Sequence, residues 1–242
     1  MPPRIVEVRQ GVLKKNDLAA RWLRERFLEA GVCVVSLVSS PGAGKTALLC
    51  ATLRRLTPAR RAAALVGDLA TDHDAVRLRA TGAPVRQITT GTVCHLDAEM
   101  VEGALAGWDL GALDFLFIEN VGNLVCPASY DLGESLRAIL LSVTEGEDKP
   151  QKYPTIFATA DLAVITKIDL ADAVGYDDAA ARRALDESYP NLEVLRVSAR
   201  SGAGLSEWLD RLEAAGVRTR TRALPTGSDQ RRNPGPVPPR AR

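Results

Sequence analysis

The chain is short of the side chains that most often bind transition metals, and short of aromatic bulk. Among 242 residues there are two histidines, two methionines and four cysteines, and aromatics make up 5%. No apolar run approaches the length of a membrane span, and the opening MPPRIVEVRQ has no signal-peptide core, so the expectation is a cytoplasmic protein with no membrane partner. In that reducing compartment a disulfide framework is excluded, and each cysteine is core filler, nucleophile or metal ligand. Cys33 in VCVVSLV and Cys50 in TALLCATLRRL occupy positions where small hydrophobes belong.

A strong charge imbalance is also missing, since the formal net charge is +1. Residues 218–242 hold seven arginines and one aspartate, which leaves the rest of the chain mildly acidic. A net positive charge confined to a Pro- and Arg-rich tail does not make a basic folded face, so no nucleic-acid partner is expected. The tail, 217–242, reads as disordered.

What is present is alternation of strand and helix signals. Residues 16–31 read as a helix capped by Asn16 or Asp17 and ended by Gly31. Apolar runs suggest strands over 32–38, 62–68, 84–90, 113–120, 155–169 and 193–199. Helical spacing suggests helices over 45–56, 74–80, from about 94, 131–141, 176–188 and 204–215. Nearly continuous apolar strands alternating with helices predict an α/β fold, a doubly wound three-layer sandwich with a mostly parallel sheet. The expected layout is an N-terminal extension and edge helix at 1–30, one nucleotide-binding domain at 31–216, and the tail.

The segment 39-SSPGAGKTALL-49 follows a strand and opens a helix. It matches the phosphate loop G-x-x-x-x-G-K-[ST] except for Ser39 in the first glycine position. Pro41, Gly42, Ala43, Gly44, Lys45, Thr46 and Ala47 would form the cradle, with backbone N–H groups on the β-phosphate, Lys45 on the β/γ oxygens and Thr46 on Mg²⁺. Asp68 and Glu119 close two strands at the edge where ligands bind in such sheets. Either can hold Mg²⁺ directly or through water, or be an ordinary solvent-facing carboxylate. Gly122 can offer its N–H to a γ-phosphate. In 164-VITKIDL-170, Asp169 would accept from guanine N1–H and the amine, with Lys167 along the base and Thr166 in place of the commoner Asn. Ser198 and Ala199 would approach guanine O6. GTP is therefore the expected nucleotide.

The stretch 91-GTVCHLDAEMVEGAL-105 sets Cys94 beside His95. Thiolate and imidazole both suit Ni²⁺ or Zn²⁺, and a thiol in the first turn of the expected helix would deprotonate readily. Two buried packing residues are the alternative.

Several blocks together resemble the hydrogenase-maturation nickel-incorporation GTPases, the HypB family within the SIMIBI class of P-loop GTPases. They are 38-VSSPGAGKTALL-49, 67-GDLATDHDAVRL-78, 88-ITTGTVCHLDAEMV-101, 118-IENVGNLVCPASYDLGE-134, 146-GEDKPQKYP-154 and 164-VITKIDL-170. The resemblance implies GTP hydrolysis, with Lys45, Thr46, Asp68 and Glu119 in the catalytic machinery. It also implies Cys94, His95 and Cys126 as nickel or zinc ligands near a GTP-dependent homodimer interface. The implied partners are a nickel-binding hydrogenase accessory protein and the hydrogenase large-subunit precursor. The sequence shows neither an N-terminal cysteine cluster nor a histidine-rich segment, which argues against nickel storage. Two rivals are a urease-type nickel-insertion GTPase, for which a Cys-Pro-His motif is expected, and a P-loop small-molecule kinase, for which an arginine-bearing lid is expected.

Overall fold

Seven strands, β1 (Cys33–Ser39), β2 (Ala62–Asp68), β3 (Val85–Thr89), β4 (Phe115–Glu119), β5 (Leu136–Ser142), β6 (Leu162–Thr166) and β7 (Glu193–Val197), form one sheet in the order β3-β2-β4-β1-β5-β6-β7. The computed structural model describes residues 3–223. Every neighbouring strand pair is parallel. Parallel neighbours need crossover connections, and these put helices on both faces, which is why β1, β4 and β5 are buried along their whole length.

On one face α2 (Lys45–Leu56) and α9 (Leu205–Ala223) pack Leu49, Leu53, Trp208 and Leu212 against Leu37, Phe115 and Phe117. The buried Trp208 indole donates to Thr52 Oγ1 at 2.8 Å, so its N–H is satisfied. On the other face α1 (Pro3–Glu29) and α4 (Ala98–Ala104) pack Leu23, Phe27 and Val101 on Val34, Leu65 and Ile118. The connections also carry α3 (His73–Arg79), α5 (Lys149–Lys152), α6 (Pro154–Ala158), α7 (Ala171–Val174) and α8 (Asp178–Ser188).

Five expectations are corrected. The apolar spacing over 131–141 belongs to β5, a central strand between β1 and β6. A short buried run satisfies helix and strand periods alike, and here Gly133, at φ 79° and packed on α1, breaks the chain ahead of it. The expected strand 155–169 is split: Pro154 opens α6, which buries Ile156 and Phe157, and only Leu162–Thr166 joins the sheet. The helix expected from about 94 starts at Ala98, capped by Asp97, whose side chain accepts from Met100 N at 2.8 Å. The first helix starts well before Asn16, so neither Asn16 nor Asp17 is its cap; it ends as expected near Gly31, at φ 68°. Finally, α9 runs through Ala223, so 217–223 is helical rather than disordered, and the rest of the tail lies outside the described residues.

Candidate functional site

The carboxyl ends of β1, β2 and β4 open onto a cavity of about 420 Å³ lined by Pro41, Gly42, Gly44, Lys45, Thr46, Ala47, Asp68, Glu119 and Gly122. The loop between β1 and α2 turns through Gly42 at φ 78° and Gly44 at φ 96°, backbone conformations that side-chain-bearing residues rarely adopt. Lys45 is buried and donates from Nζ to Ser39 Oγ at 3.0 Å. Ser39, which replaces the motif's first glycine, thus receives the loop lysine. Burial pulls the Lys45 ammonium below its ordinary range, opposed by the negative charges of Glu119, Asp74, Glu145 and Asp68.

Thr46 donates from Oγ1 to Glu119 Oε1 at 2.7 Å, while Glu119 Oε2 is buried without a hydrogen-bond partner. Burial pushes the Glu119 carboxyl up to about 7, against the Thr46 hydrogen bond and the Lys45 charge. Its orphaned oxygen and the Thr46 hydroxyl form a donor set suited to a hard divalent cation. Asp68 directs Oδ1 to its own loop, accepting from Ala70 N at 2.9 Å and Thr71 N at 2.8 Å. Partial burial raises its carboxyl, but the bonds from Thr71 and Ala70 outweigh this and hold it below its ordinary value. Gly122 lies against the loop, where an added Cβ would come within 2.9 Å of Pro41 Cα.

A second cavity, of about 200 Å³, shares Gly44 and Ala47 with the first and is lined by Thr166, Lys167, Asp169 and Ala199. Lys167 takes a left-handed conformation, φ 58°, which turns the strand end sharply into the Asp169 loop. Ser198 is fully buried and donates to Asp169 Oδ1 at 2.6 Å, fixing the carboxylate. Thr166 donates to the carbonyl of Ala43 at 2.6 Å, so its side chain braces the phosphate loop as well as lining the cavity. Ala43 itself is fully buried.

The three residues expected to bind metal converge. Cys94 Sγ, a His95 ring nitrogen and Cys126 Sγ all lie within 4.8 Å of one another, and the two sulfurs are 2.8 Å apart. Cys94 and His95 occupy the loop before α4, so no helix first turn acts on the thiol. Cys126 opens a 3₁₀ turn, Cys126–Ser129. His95 Nδ1 is buried without a hydrogen-bond partner, and the ring packs on Tyr130 at 3.9 Å between centroids. Burial holds the His95 pKa below its ordinary value, against the charge of Asp97, which favours the neutral ring that metals bind.

Residues not singled out in the sequence tie this cluster to the cavity. Asn120, immediately after Glu119 and only 2% exposed, accepts through Oδ1 from Leu96 N at 3.0 Å and Val121 N at 2.9 Å. Asn123 donates to Cys94 O at 3.2 Å and accepts from Val125 N at 2.8 Å. Leu96 closes over Gly67, where an added Cβ would fall 2.8 Å from its Cγ. Arg77 also lines the larger cavity. The signal for the asparagines lay in 119-ENVGN-123, where two amides flank the glycine; their partners are distant in sequence and invisible to local pattern.

Comparison with known proteins gives a consistent result. The CobW/HypB/UreG nucleotide-binding domain matches residues 33–196. The chain is 51% identical over 220 residues to the hydrogenase maturation factor HypB of Azotobacter vinelandii, spanning 90% of this chain and 73% of that protein. The chain belongs to the HypB family. It is also 48% identical to hydrogenase maturation factor HypB of Escherichia coli K12, over 87% of this chain and 72% of that one. The crystal structure of HypB from Helicobacter pylori in complex with nickel superposes with a TM-score of 0.80 at 39% identity, covering 85% of this chain and 97% of that one. The all-parallel α/β architecture is that of these P-loop relatives. Among the described residues no helix is long and apolar enough to cross a membrane.

Proposed function

We propose that this protein is a cytoplasmic GTP-hydrolysing nickel metallochaperone for [NiFe]-hydrogenase maturation, in which nucleotide state sets metal affinity. The observation that carries the reading is the Cys94–His95–Cys126 cluster, hydrogen-bonded through Asn120 and Asn123 to the segment that follows Glu119. Membership of the HypB family and the likeness to a nickel-bound relative support it.

In this reading the triphosphate occupies the larger cavity and guanine the smaller, the chain of the nucleotide passing Gly44 and Ala47. Asp169, held by Ser198, accepts the two guanine donors that adenine lacks. On nucleotide binding Lys45 leaves Ser39 for the β/γ oxygens, and the backbone N–H groups of the loop take the β-phosphate. Mg²⁺ would be held by Thr46, with Glu119 and Asp68 directly or through water, supplying charge neutralisation at the β/γ phosphates. Gly122, with no side chain to obstruct it, presents its N–H to the γ-phosphate. Loss of that phosphate relaxes 119–123, and the relaxation reaches the metal through two amides: Asn120 moves the Leu96 peptide beside His95, and Asn123 moves the Cys94 carbonyl.

Ni²⁺ or Zn²⁺ is cargo here, held by two sulfurs and one imidazole. Three protein ligands leave a position for water, for a donor from the second copy in a GTP-dependent homodimer, or for the accepting partner. The partners in this reading are a nickel-binding accessory protein and the hydrogenase large-subunit precursor. The test is titration of wild type and Cys94→Ala with Ni²⁺ and Zn²⁺ alongside GTP hydrolysis of Lys45→Ala. Loss of one metal equivalent in the first variant and of hydrolysis in the second supports the reading; unchanged stoichiometry in Cys94→Ala removes the site.

A further inference from the structure

Asn16 lies on α1, 78 or more residues from any metal-site cysteine or histidine in sequence, yet it is only 5% exposed. A helix docked by Ala20, Leu23 and Phe27 does not need a buried amide for adhesion. A buried amide left unpaired would destabilise the fold. Both ends of Asn16 are paired: Oδ1 accepts from Ala98 N at 2.9 Å, and Nδ2 donates to Asp131 O at 2.9 Å.

The two partners belong to different segments of the metal site. Ala98 opens α4 three residues after His95. Asp131 follows Tyr130, whose ring packs on His95, and lies just beyond the 3₁₀ turn that Cys126 begins. One side chain therefore spans the two pieces of backbone that carry the ligands. Neighbouring contacts repeat the pattern: Lys15 pairs with Glu99 at 2.7 Å and Arg24 with Asp131 at 2.6 Å. These pairs are solvated and add little energy. Close packing adds register, since a Cβ on Gly133 would fall 2.8 Å from Ala20 O. A buried amide with two directional bonds fixes a separation, whereas apolar contacts tolerate sliding.

We propose that Asn16 is a positioning residue for the metal ligands, holding the Cys94–His95 loop and the Cys126 segment at the separation that binds the ion. The inference rests on the metal-site reading above. Its test is Ni²⁺ titration of the 242-residue wild-type chain, Asn16→Leu, Asn16→Asp and Cys94→Ala, followed through the thiolate-to-nickel charge-transfer band, with GDP affinity measured in parallel. Asn16→Leu removes both bonds at similar volume; Asn16→Asp keeps the acceptor for Ala98 N and sets a carboxylate oxygen against Asp131 O. Both are expected to weaken Ni²⁺ about tenfold or more and to alter the band, with GDP affinity changed less than about twofold because no residue of α1 lines either part of the nucleotide cavity. Wild-type Ni²⁺ affinity and spectrum in Asn16→Leu would overturn the proposal. So would equal losses of Ni²⁺ and GDP affinity in both variants, which would make Asn16 a determinant of the fold at large. Absence of Cys94-dependent binding in wild type would instead defeat the metal-site reading, and this inference with it.

Discussion

Glu119 is held at the end of β4 with one oxygen on Thr46 and the other buried and unpaired. In the metal-free protein its folded pKa, about 7, lies above the ordinary carboxylate value, so the native state binds this proton more tightly than the unfolded chain. The stabilising contribution is complete below pH 4.5 and is lost as pH rises towards 7. Thermal denaturation of EDTA-treated, nucleotide-free protein should therefore show wild type losing stability relative to Glu119→Gln across that window; parallel curves would contradict the burial argument. In the proposed function two further residues have separable roles. Lys45→Ala should lower the GTP turnover rate by about 100-fold or more, as loss of a preorganised cation at developing charge does. Asp169→Asn should leave turnover capacity intact but reduce the preference for GTP over ATP on the order of 100-fold, measured by competition binding.

The elements place these residues by holding their termini at one sheet edge. Thr166 ends β6, and its hydroxyl bonds the Ala43 carbonyl across the phosphate loop. Thr166→Val should cost about 1 kcal/mol of stability and weaken guanine nucleotides, read by denaturation and GDP titration. Gly122→Ala forces a Cβ into Pro41 and should impair GTP-analogue binding more than GDP binding. The phosphate loop, Asp68, Glu119 and the Asp169 loop were readable in the sequence because each is a short motif at the end of an apolar run. The β5 segment was not, since LRAILLS fits either period and only its place between β1 and β6 decides. Nor was the role of Asn16, whose helical surroundings conceal bonds to residues 82 and 115 positions away. Cys94, His95 and Cys126 were brought together on resemblance; spacing along the chain did not require it.

Across the whole molecule, α1 grips the metal loops from one side while the 119–123 segment grips them from the nucleotide side. In the proposed function this arrangement couples metal affinity to nucleotide state, and linkage makes that coupling reciprocal. The direct measurement is the Ni²⁺ dissociation constant of wild type loaded with GDP and with a non-hydrolysable GTP analogue, repeated in Asn120→Ala and Asn123→Ala. The account predicts constants that differ at least about fivefold in wild type and converge when either amide is removed. Equal constants in the two nucleotide states of wild type would contradict it.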